Sequence, residues 1–518
     1  MKGILQAHVV DGYKLGHISQ YVDKTEYVGA NLTPRSSKLA RAVEKYFDGK
    51  MRYVGLQMAL KNMINSWEDT FFSKQEDTVI KAYTRRIKNY LGSDHGDDQI
   101  DAMRELHKLG YLPIEVKSLA EGSRVDMGVP VFTVKNTDKR FFWLTNYLET
   151  YLSCMIWPVC NSASISEEYL KTASRWSTVT GAPDFWVGIA CHCFAARGHR
   201  GEFDSMISGM GHLAVGNVGT DTLWAIDGME EYYNADSDKE LIGCSVNAFE
   251  HATATQRIAY YRKVLGFTEY GQAEVESLRD IYTNLYKSGI VSYVADSEDY
   301  YWLMEHGIKQ VKEEILSRTE DSLGLCKAVF RPDSSPKTPL EVIVGDKEAP
   351  VGSAEYKGSL ELLWENFGGT LNDKGFRVIN PMVGLIYGEA IDIDMQEAIY
   401  SCMVEQGFCV SNILLGVGSW GFLDRSSRDS FNIAIKGTNS IVDGEEVSMQ
   451  KTPKTAMGSK KSALGLLRVE KEDGKFVLYD QQTKEQEQQG LLETVFLDGK
   501  LVKETSLQEI RDLVKGSL

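Results

Sequence analysis

Residues able to do chemistry concentrate between His192 and Thr222, in the segment HCFAARGHRGEFDSMISGMGHLAVGNVGTDT. Arginine, histidine and glycine recur there, and the segment closes on Gly219-Thr220-Asp221-Thr222. Arginine side chains and backbone N–H groups bind phosphate-like anions, and glycine lets a flat ring approach the backbone closely. The segment therefore predicts a site that holds an anion next to a planar ring.

Candidates for phosphate contact are Arg197 or Arg200, Arg331 and Arg428, because a planar guanidinium fork matches two phosphate oxygens. A surface ion pair is the commoner role of an isolated arginine, but these arginines stand beside glycines at predicted strand ends. Neither the P-loop pattern G-x-x-x-x-G-K-S/T nor a strand-flanked G-x-G-x-x-G is present. The sequence thus indicates a phosphate site built differently from both motifs.

His251 begins a helical pattern that ends before Gly266, a position from which an imidazole can contact an anion or act as a nucleophile. Glu250, beside it, is expected to orient the ring. The competing interpretation, an exposed or capping histidine, also fits this segment. Four acidic residues that follow predicted strands could be either ligand contacts or helix N-caps: Asp221, Asp296, Asp333 and Glu389.

Cysteine and histidine cluster at Cys191-His192-Cys193, with His199 and His212 further along, which raises the question of a metal site. Neighbouring positions of a strand point to opposite sides, and no C-x-x-C partner exists. We therefore do not expect zinc here.

Composition limits the other classes of function. The chain has 518 residues, more than one ordinary core supports, which predicts two or three structural units. With 57 basic and 73 acidic residues the net charge is −16, so nucleic acid and membranes are not expected as partners. Eight cysteines without framework spacing indicate reduced thiols in the cytoplasm. We expect no signal peptide and no membrane-spanning segment.

The elements that position these residues alternate between strands and helices after residue 160. Strands are predicted at 185–191, 290–295, 327–330, 383–387 and 412–415. Polar clusters follow the strands, which is the arrangement of an α/β barrel with its site at the C-terminal face. A doubly wound sheet would place ligands similarly, but we favour the barrel.

The flanking segments predict a second, α+β unit. Residues 1–160 mix helical periods with short strands, and Asp473-Gly474 and Asp498-Gly499 mark hairpin turns in residues 428–518. The C-terminal segment is too small to stand alone and is expected to pack on the N-terminal one. The predicted domains are 1–160 (α+β), 161–427 (α/β barrel, catalytic) and 428–518 (strand-rich, packing on the first).

Nine motifs stand in order along nearly the whole chain: DGYKLGHISQY (11–21), LPIEVKSLAEG (112–122), FTVKNTDKRFFWLTNYLET (132–150), HCFAARG (192–198), GTDT (219–222), SVNAFEH (245–251), VADSEDYY (294–301), RPDS (331–334) and IDI (391–393). They resemble the nicotinamide phosphoribosyltransferases, type II enzymes of the nicotinate/nicotinamide phosphoribosyltransferase family. The resemblance implies an irregular α/β barrel plus an α+β domain, and a homodimer with shared active sites. It also implies transfer of the phosphoribosyl group of 5-phosphoribosyl 1-pyrophosphate to nicotinamide in NAD salvage, with Mg²⁺ and optional ATP coupling through a phosphohistidine.

The resemblance also implies roles for individual residues. Phe194 resembles the aromatic residue that stacks on nicotinamide, Tyr13 its counterpart from the other subunit, and Asp221 the acceptor of the carboxamide N–H. His251 resembles the phosphorylated histidine. Further residues implied by position are Arg197 and Arg331 as phosphate clamps, Asp296 and Asp333 as catalytic acids near ribose and metal, and Ser245, Ser292, Gly388, Glu389, Gly418 and Gly421 as substrate contacts. Basic residues implied to reach the phosphates across the dimer are Arg35, Arg428, Lys436 and one of Lys460 or Lys461.

Three positions depart from the family pattern. Glu389 replaces the usual Asp, Cys193 replaces an acid, and the glycine run from Gly416 to Gly421 is interrupted. Two alternatives stay open, a nicotinate-specific enzyme and a non-catalytic ligand- or metal-binding homologue. Asp221 favours nicotinamide over nicotinate, because a carboxylate attracts an amide N–H and repels a second carboxylate.

Overall fold

A computed structural model describes residues 4–40, 45, 48–333, 338–423, 426–450 and 462–517. Its strands are β1 (Thr25–Thr33), β2 (Lys50–Arg52), β3 (Ile114–Ser118), β4 (Arg124–Asp126), β5 (Phe132–Asn136), β6 (Cys191–Cys193), β7 (Asn247–Ala248), β8 (Gly289–Val294), β9 (Cys326–Arg331), β10 (Gly369–Leu371), β11 (Arg377–Ile379), β12 (Val383–Tyr387), β13 (Ile413–Val417), β14 (Ala434–Val442), β15 (Glu445–Ser448), β16 (Leu466–Glu472), β17 (Lys475–Gln482), β18 (Glu493–Leu497) and β19 (Lys500–Leu501).

Its α-helices are α1 (His17–Gln20), α2 (Leu56–Trp67), α3 (Glu76–Leu91), α4 (Asp97–Leu109), α5 (Leu144–Tyr147), α6 (Glu149–Thr180), α7 (Asp184–Ile189), α8 (Glu202–Ala214), α9 (Leu223–Tyr233), α10 (His251–Lys263), α11 (Gln272–Asp280), α12 (Tyr300–Trp302), α13 (Lys312–Leu316), α14 (Pro339–Val344), α15 (Ala354–Phe367), α16 (Ile393–Glu405), α17 (Ser419–Leu423), α18 (Lys484–Glu487) and α19 (Leu507–Lys515). Among the described helices, none combines the length and the apolar character needed to cross a bilayer.

The chain divides into two compact units. Unit 1 comprises Met1–Ile165, Ala225–Glu240 and Arg425–Leu518, and unit 2 comprises Ser166–Trp224 and Leu241–Asp424. The three folding domains expected from the sequence, 1–160, 161–427 and 428–518, stay a prediction.

Unit 2 is built on a parallel sheet with strand order β6-β13-β12-β9-β8-β7. Two single-residue parallel bridges continue the pairing beyond β6, from Cys193 to Thr220 and from Gly219 to Cys244. Cys244 stands three residues before β7. The two bridges therefore connect the β6 end of the sheet to the segment that leads into β7, at the other end. This irregular barrel confirms the predicted fold class, and four of its strands lie at the predicted places.

The strand predicted at 185–191 is wrong. Residues Asp184–Ile189 form helix α7, and the strand β6 begins only at Cys191. Pro183 at the N-cap and Asp184 in the first turn are helix-start signals, and a seven-residue apolar run fits a helix as well as a strand. Phe185 is 73% exposed whereas Trp186 is 2% exposed, so the run is not buried on all sides.

Unit 1 carries an antiparallel sheet with strand order β15-β14-β1-β5-β3-β18-β19. Strand β14 pairs with β1 and β18 pairs with β3, so C-terminal strands complete an N-terminal sheet, as the predicted α+β fold requires. Both predicted hairpin turns are confirmed. Asp473 and Gly474 join β16 to β17 with φ of 47° and 78°, the left-handed conformations that an Asp-Gly pair tolerates.

Candidate functional site

Parallel strands of unit 2 end at one edge of the barrel, and most predicted site residues lie at that edge. Phe194 follows β6, Asp296 follows β8, Arg331 ends β9, Gly388 follows β12 and Gly418 follows β13. The described structure therefore gathers at one mouth residues that are up to 224 positions apart along the chain.

Phe194 lies against glycines at two of the strand ends. Its backbone N–H donates to the carbonyl oxygen of Val417 at 2.9 Å, which fixes the chain beside β13. A Cβ atom on Gly416 would stand 2.1 Å from Cε2 of the ring, and one on Gly388 would stand 2.8 Å from it. Only glycine lets the half-buried ring sit this close to the backbone, so these glycines place an aromatic surface at the mouth.

Asp221 is held by two donors that both reach the same carboxylate oxygen. His192 Nε2 lies 2.8 Å from Oδ1, and the Ser245 hydroxyl donates to Oδ1 at 2.9 Å. Burial by itself raises the pKa of Asp221, but the hydrogen bonds from His192 and Ser245 and the charge of Arg331 outweigh it and lower that pKa. The half-exposed Asp221 is therefore a carboxylate at neutral pH.

His251, the first residue of α10, is paired with Asp296. Its Nε2 lies 3.0 Å from Asp296 Oδ1, while Asp296 Oδ2 accepts the backbone N–H of Asp333 at 3.1 Å. The expectation that Glu250 orients this ring is wrong, because Glu250 occupies the N-cap in an extended conformation and the ring pairs with Asp296, which follows the neighbouring strand β8. The arrangement ties the histidine and both catalytic candidate acids into one network.

The phosphate-clamp candidates differ in their surroundings. Arg331 is largely buried, donates through Nη2 to the carbonyl oxygen of Phe249 at 3.0 Å and stands 3.8 Å from Asp333 Oδ2. Its buried Nε has no hydrogen-bond partner among the described residues, so a donor stays available for an anion. Arg197 is exposed on the short turn Ala196–Gly198 that follows Phe194. The choice between Arg197 and Arg200 stays a prediction.

The remaining predicted residues of unit 2 have distinct settings. Ser292, on β8, keeps a buried hydroxyl without a partner among the described residues. Gly418 borders open space, whereas a Cβ on Gly421 would meet Val417 and the hydroxyl of Tyr169 within 2.8 Å, so close packing explains this glycine. Glu389 is exposed.

Unit 1 brings together the basic residues predicted to act across a dimer. Burial lowers the pKa of Arg35, and so does the charge of Arg428. The pKa of Lys436 is also lowered, first by burial and then, against the opposing charge of Glu149, by the charges of Arg35, Lys14 and Arg428. Mutual repulsion of this kind indicates a cationic cluster. Tyr13, in the same unit, is 66% exposed, whereas Lys460, Lys461 and Ser334 lie outside the described residues.

The side chains of the cysteine–histidine segment have separate settings. Among the described residues, no group of three or more His, Cys, Asp or Glu stands close enough to hold a metal ion. His212 is buried and its ring bonds to the carbonyl oxygen of Gly219 at 3.1 Å and to the Ser166 hydroxyl at 3.3 Å, so it supports the segment internally. Burial lowers the pKa of His212 to about 3, which keeps the ring neutral.

Three carboxylates act electrostatically on Tyr387, the last residue of β12. Burial raises the pKa of Tyr387, and the charges of Glu389, Asp296 and Asp333 raise it further. Mg²⁺ is bound in many sites by one or two carboxylates together with substrate phosphates, so this donor set fits Mg²⁺ that arrives with a phosphorylated substrate.

Two pairings in this site were missed from the sequence, His192 with Asp221 and Asp296 with His251. Strand alternation could have indicated the first, because positions 192 and 194 point to the same side of a strand. The second joins residues that are 45 positions apart, and no periodic signal connects them.

Comparison with solved structures identifies a known fold. The crystal structure of human nicotinic acid phosphoribosyltransferase covers 98% of this chain and 93% of its own, with a TM-score of 0.54 at 13% identity. The two proteins share this fold.

Sequence comparison defines the family. The profile of the nicotinate phosphoribosyltransferase (NAPRTase) family matches residues 189–500, more than half of the chain. A nicotinamide phosphoribosyltransferase from Acinetobacter baylyi is 42% identical over 99% of this chain and 97% of its own, and one from Xanthomonas campestris is 29% identical over 78% and 79%. The chain belongs to the NAPRTase family.

Proposed function

We propose that this protein transfers the phosphoribosyl group of 5-phosphoribosyl 1-pyrophosphate to nicotinamide, releasing pyrophosphate and giving nicotinamide mononucleotide for NAD salvage. The observation that carries the choice of base is the ionised Asp221 at the same mouth as the Phe194 ring. The relatives at 42% and 29% identity are named for the nicotinamide reaction, which supports the same choice.

The geometry of the mouth supports this chemistry. Phe194 offers a flat surface for the pyridine ring, and Asp221 offers an acceptor for its carboxamide N–H. Arg331, with an unpaired buried donor, and the exposed Arg197 suit the phosphates of the second substrate, because guanidinium groups stabilise the charge that develops on departing pyrophosphate. Asp333, near the network of Asp296, is suited to the ribose and to the positive charge that develops on its anomeric carbon.

We extend the proposal to the cofactors and the assembly. Asp333 and Glu389 would hold Mg²⁺ together with the substrate phosphates, and the bound ion would offset the charge of pyrophosphate. ATP is proposed as an optional coupling substrate through His251. The active form is proposed to be a homodimer in which Tyr13 and the cationic cluster of unit 1 complete the partner's site. The free state of all eight cysteines is consistent with a cytoplasmic enzyme.

A nicotinate-specific enzyme is the second candidate, since the family bears that name. It would place the carboxylate of nicotinate against the ionised Asp221, which is unfavourable without a neutralising partner. A non-catalytic homologue is disfavoured because His251, Asp296, Asp333 and Arg331 are all present and linked in one network.

The decisive experiment supplies the protein with phosphoribosyl pyrophosphate, Mg²⁺ and either pyridine, and measures both nucleotides. We expect nicotinamide to be strongly preferred. Asp221→Asn should reduce that preference, because it removes the charge that repels nicotinate. Equal use of both bases by the wild-type protein, or an unchanged preference in Asp221→Asn, would contradict the assignment.

A further inference from the structure

The hydrogen bond between His192 and Asp221 is part of an arrangement that fixes the orientation of the Asp221 carboxylate. Both the His192 ring and the Ser245 hydroxyl reach Oδ1 of Asp221, at 2.8 Å and 2.9 Å. The other oxygen, Oδ2, accepts no hydrogen bond from any residue that the structure describes. One oxygen is therefore occupied by the protein, and the second is left for a ligand.

The position of the His192 ring is itself fixed by the residues packed on its Nδ1 side. It is buried on β6, and a Cβ on Gly219 would stand 2.9 Å from its Nδ1, so the backbone of Gly219 closes that side. The neutral His212 holds the carbonyl oxygen of Gly219 at 3.1 Å. On the mouth side the Phe194 ring lies 4.9 Å away, centre to centre. With so little freedom, the ring presents Nε2 to Asp221 and to no other described partner.

We infer that His192 is a positioning and specificity-determining residue: it donates Nε2–H to Oδ1 of Asp221 and thereby turns Oδ2 towards the carboxamide of the base. This inference rests on the proposed function and adds a residue to its choice of substrate. Since a carboxylate accepts and cannot donate, Nε2 carries the ring proton in this pair.

Loss of the His192 donor has a consequence specific to base choice. A carboxylate that loses a hydrogen bond to its charged form is protonated more easily, and a protonated Asp221 could donate to the carboxylate of nicotinate. The other charged or titratable groups that act on Asp221 are Arg331, from β9, and the Cys193 thiol, from β6; His212 faces His192 from α8. The Ser245 hydroxyl and the charge of Arg331 would then remain to favour the ionised form.

The test uses three variants in the full-length protein. His192→Leu removes the donor, His192→Gln offers an amide N–H at similar reach to Nε2, and His306→Gln makes the same change at an exposed histidine of unit 2. The values of kcat and KM are measured for nicotinamide and for nicotinate between pH 6 and pH 8.

In His192→Leu we expect kcat/KM for nicotinamide to fall on the order of tenfold, mainly through KM, because a charge-assisted hydrogen bond is lost. The preference for nicotinamide over nicotinate should also fall in His192→Leu. This loss of preference should be larger at pH 6 than at pH 8. His192→Gln should recover most of the preference, and His306→Gln should match the wild type.

An unchanged preference in His192→Leu at every pH would overturn the inference. So would equal losses on both bases in the Leu and Gln variants, since that result marks a purely structural histidine. A wild-type protein that uses neither base contradicts the proposed function itself, which separates the two failures.

Discussion

His251 presents one ring nitrogen to a carboxylate, and this decides which nitrogen can react. Nε2 faces Asp296 at 3.0 Å, so Nε2 carries the proton and the lone pair lies on Nδ1. The side chain is 46% exposed, which leaves the ring accessible to a nucleotide, whereas Asp296 is 5% exposed. The pair has the form of a nucleophile oriented by a buried acid.

We predict that ATP with Mg²⁺ leaves an acid-labile phosphate on His251. The measurement is mass spectrometry under alkaline conditions, which preserve phosphohistidine. His251→Ala should abolish ATP hydrolysis and leave only weak nucleotide synthesis, and Asp296→Asn should reduce the phosphorylated fraction because the ring loses its orienting acid. If ATP still stimulates synthesis while no phosphate is found on His251, the histidine only contacts the phosphates.

Lys327, on β9, is a largely buried ammonium group with no ion-pair or hydrogen-bond partner among the described residues. Burial lowers its pKa, and a Cβ on Gly384 would stand 2.9 Å from its Cδ, so the chain fills space left by a glycine. A buried unpaired charge opposes folding. The folded pKa lies below the unfolded value near 10.4, so the unfolded state binds more protons between the two and stability rises with pH there.

Lys327→Met should therefore raise the free energy of unfolding at pH 7, because it replaces a buried charge without a partner by an apolar side chain of similar length. The gain should shrink as the pH rises towards and through 10.4, above which the wild-type lysine becomes neutral in both states. Urea unfolding at several pH values measures this gain in the free energy of unfolding. Lys287→Met, a change at an exposed lysine, is the control. A gain equal to that of the control, or one that grows with pH, would contradict the burial argument.

At the residue scale, the sequence indicates which residue types occupy the site but not how they pair. Arg331, Asp296 and Asp333 follow strands, and their order was enough to place them at one mouth. The partner of a side chain depends on how neighbouring strands are rotated and staggered, which composition does not carry. For this reason the sequence indicates Glu250, the neighbour along the chain, as the partner of His251, whereas the folded protein pairs His251 with Asp296.

At the scale of elements, the site depends on glycines at or next to the ends of two strands, β12 and β13. A Cβ on Gly416 would stand 2.1 Å from the Phe194 ring and 2.9 Å from the Cα of Gly388, so both the ring and a second strand end block it. The close approach explains why glycines, and not merely small residues, stand after β12 and within β13.

Gly416→Ala should displace the Phe194 ring and weaken binding of the base. We expect KM for nicotinamide to rise by about tenfold or more, because a misplaced stacking surface loses much of its contact. Gly29→Ala, a strand glycine whose Cβ would meet only ordinary contacts at 3.8 Å, is the control. Steady-state kinetics measure the effect on base binding, and thermal unfolding measures any effect on stability. An unchanged KM in a folded Gly416→Ala protein would show that the ring is not the binding surface.

The elements also show where sequence patterns succeed. Asp-Gly turns in hairpins require left-handed backbone at both positions, so Asp473-Gly474 and Asp498-Gly499 were reliable signals, with φ of 47° at each aspartate. Residues 185–191 carried an apolar run without a period, and length alone could not separate helix from strand. The C-terminal strands could be expected to pair with the N-terminal sheet, but their register with β1 and β3 could not.

At the scale of the whole molecule, the predicted site residues divide between the two units. Those that contact the base and pyrophosphate in our proposal lie in unit 2, and Tyr13 and the cationic cluster lie in unit 1. Tyr13 is 66% exposed and Arg428 is 52% exposed at its side chain, and both are therefore available to a second molecule. In a symmetric dimer each chain would donate residues of its unit 1 to one site and contribute its unit 2 to the other.

This arrangement predicts complementation between inactive chains. Tyr13→Ala and His251→Ala proteins, unfolded together and refolded as an equal mixture, should form hybrid dimers in which one site regains both residues. Half of the dimers are then hybrid and each holds one intact site of two, so ATP-coupled synthesis should reach about a quarter of the wild-type rate. A mixture of Tyr13→Ala and Arg35→Ala should not recover, because both residues are donated in the same direction and every hybrid site lacks one. Three outcomes would each contradict sites shared across a dimer. They are recovery of activity in the Tyr13→Ala and Arg35→Ala mixture, no recovery in the Tyr13→Ala and His251→Ala mixture, and full activity in a monomer isolated by size exclusion.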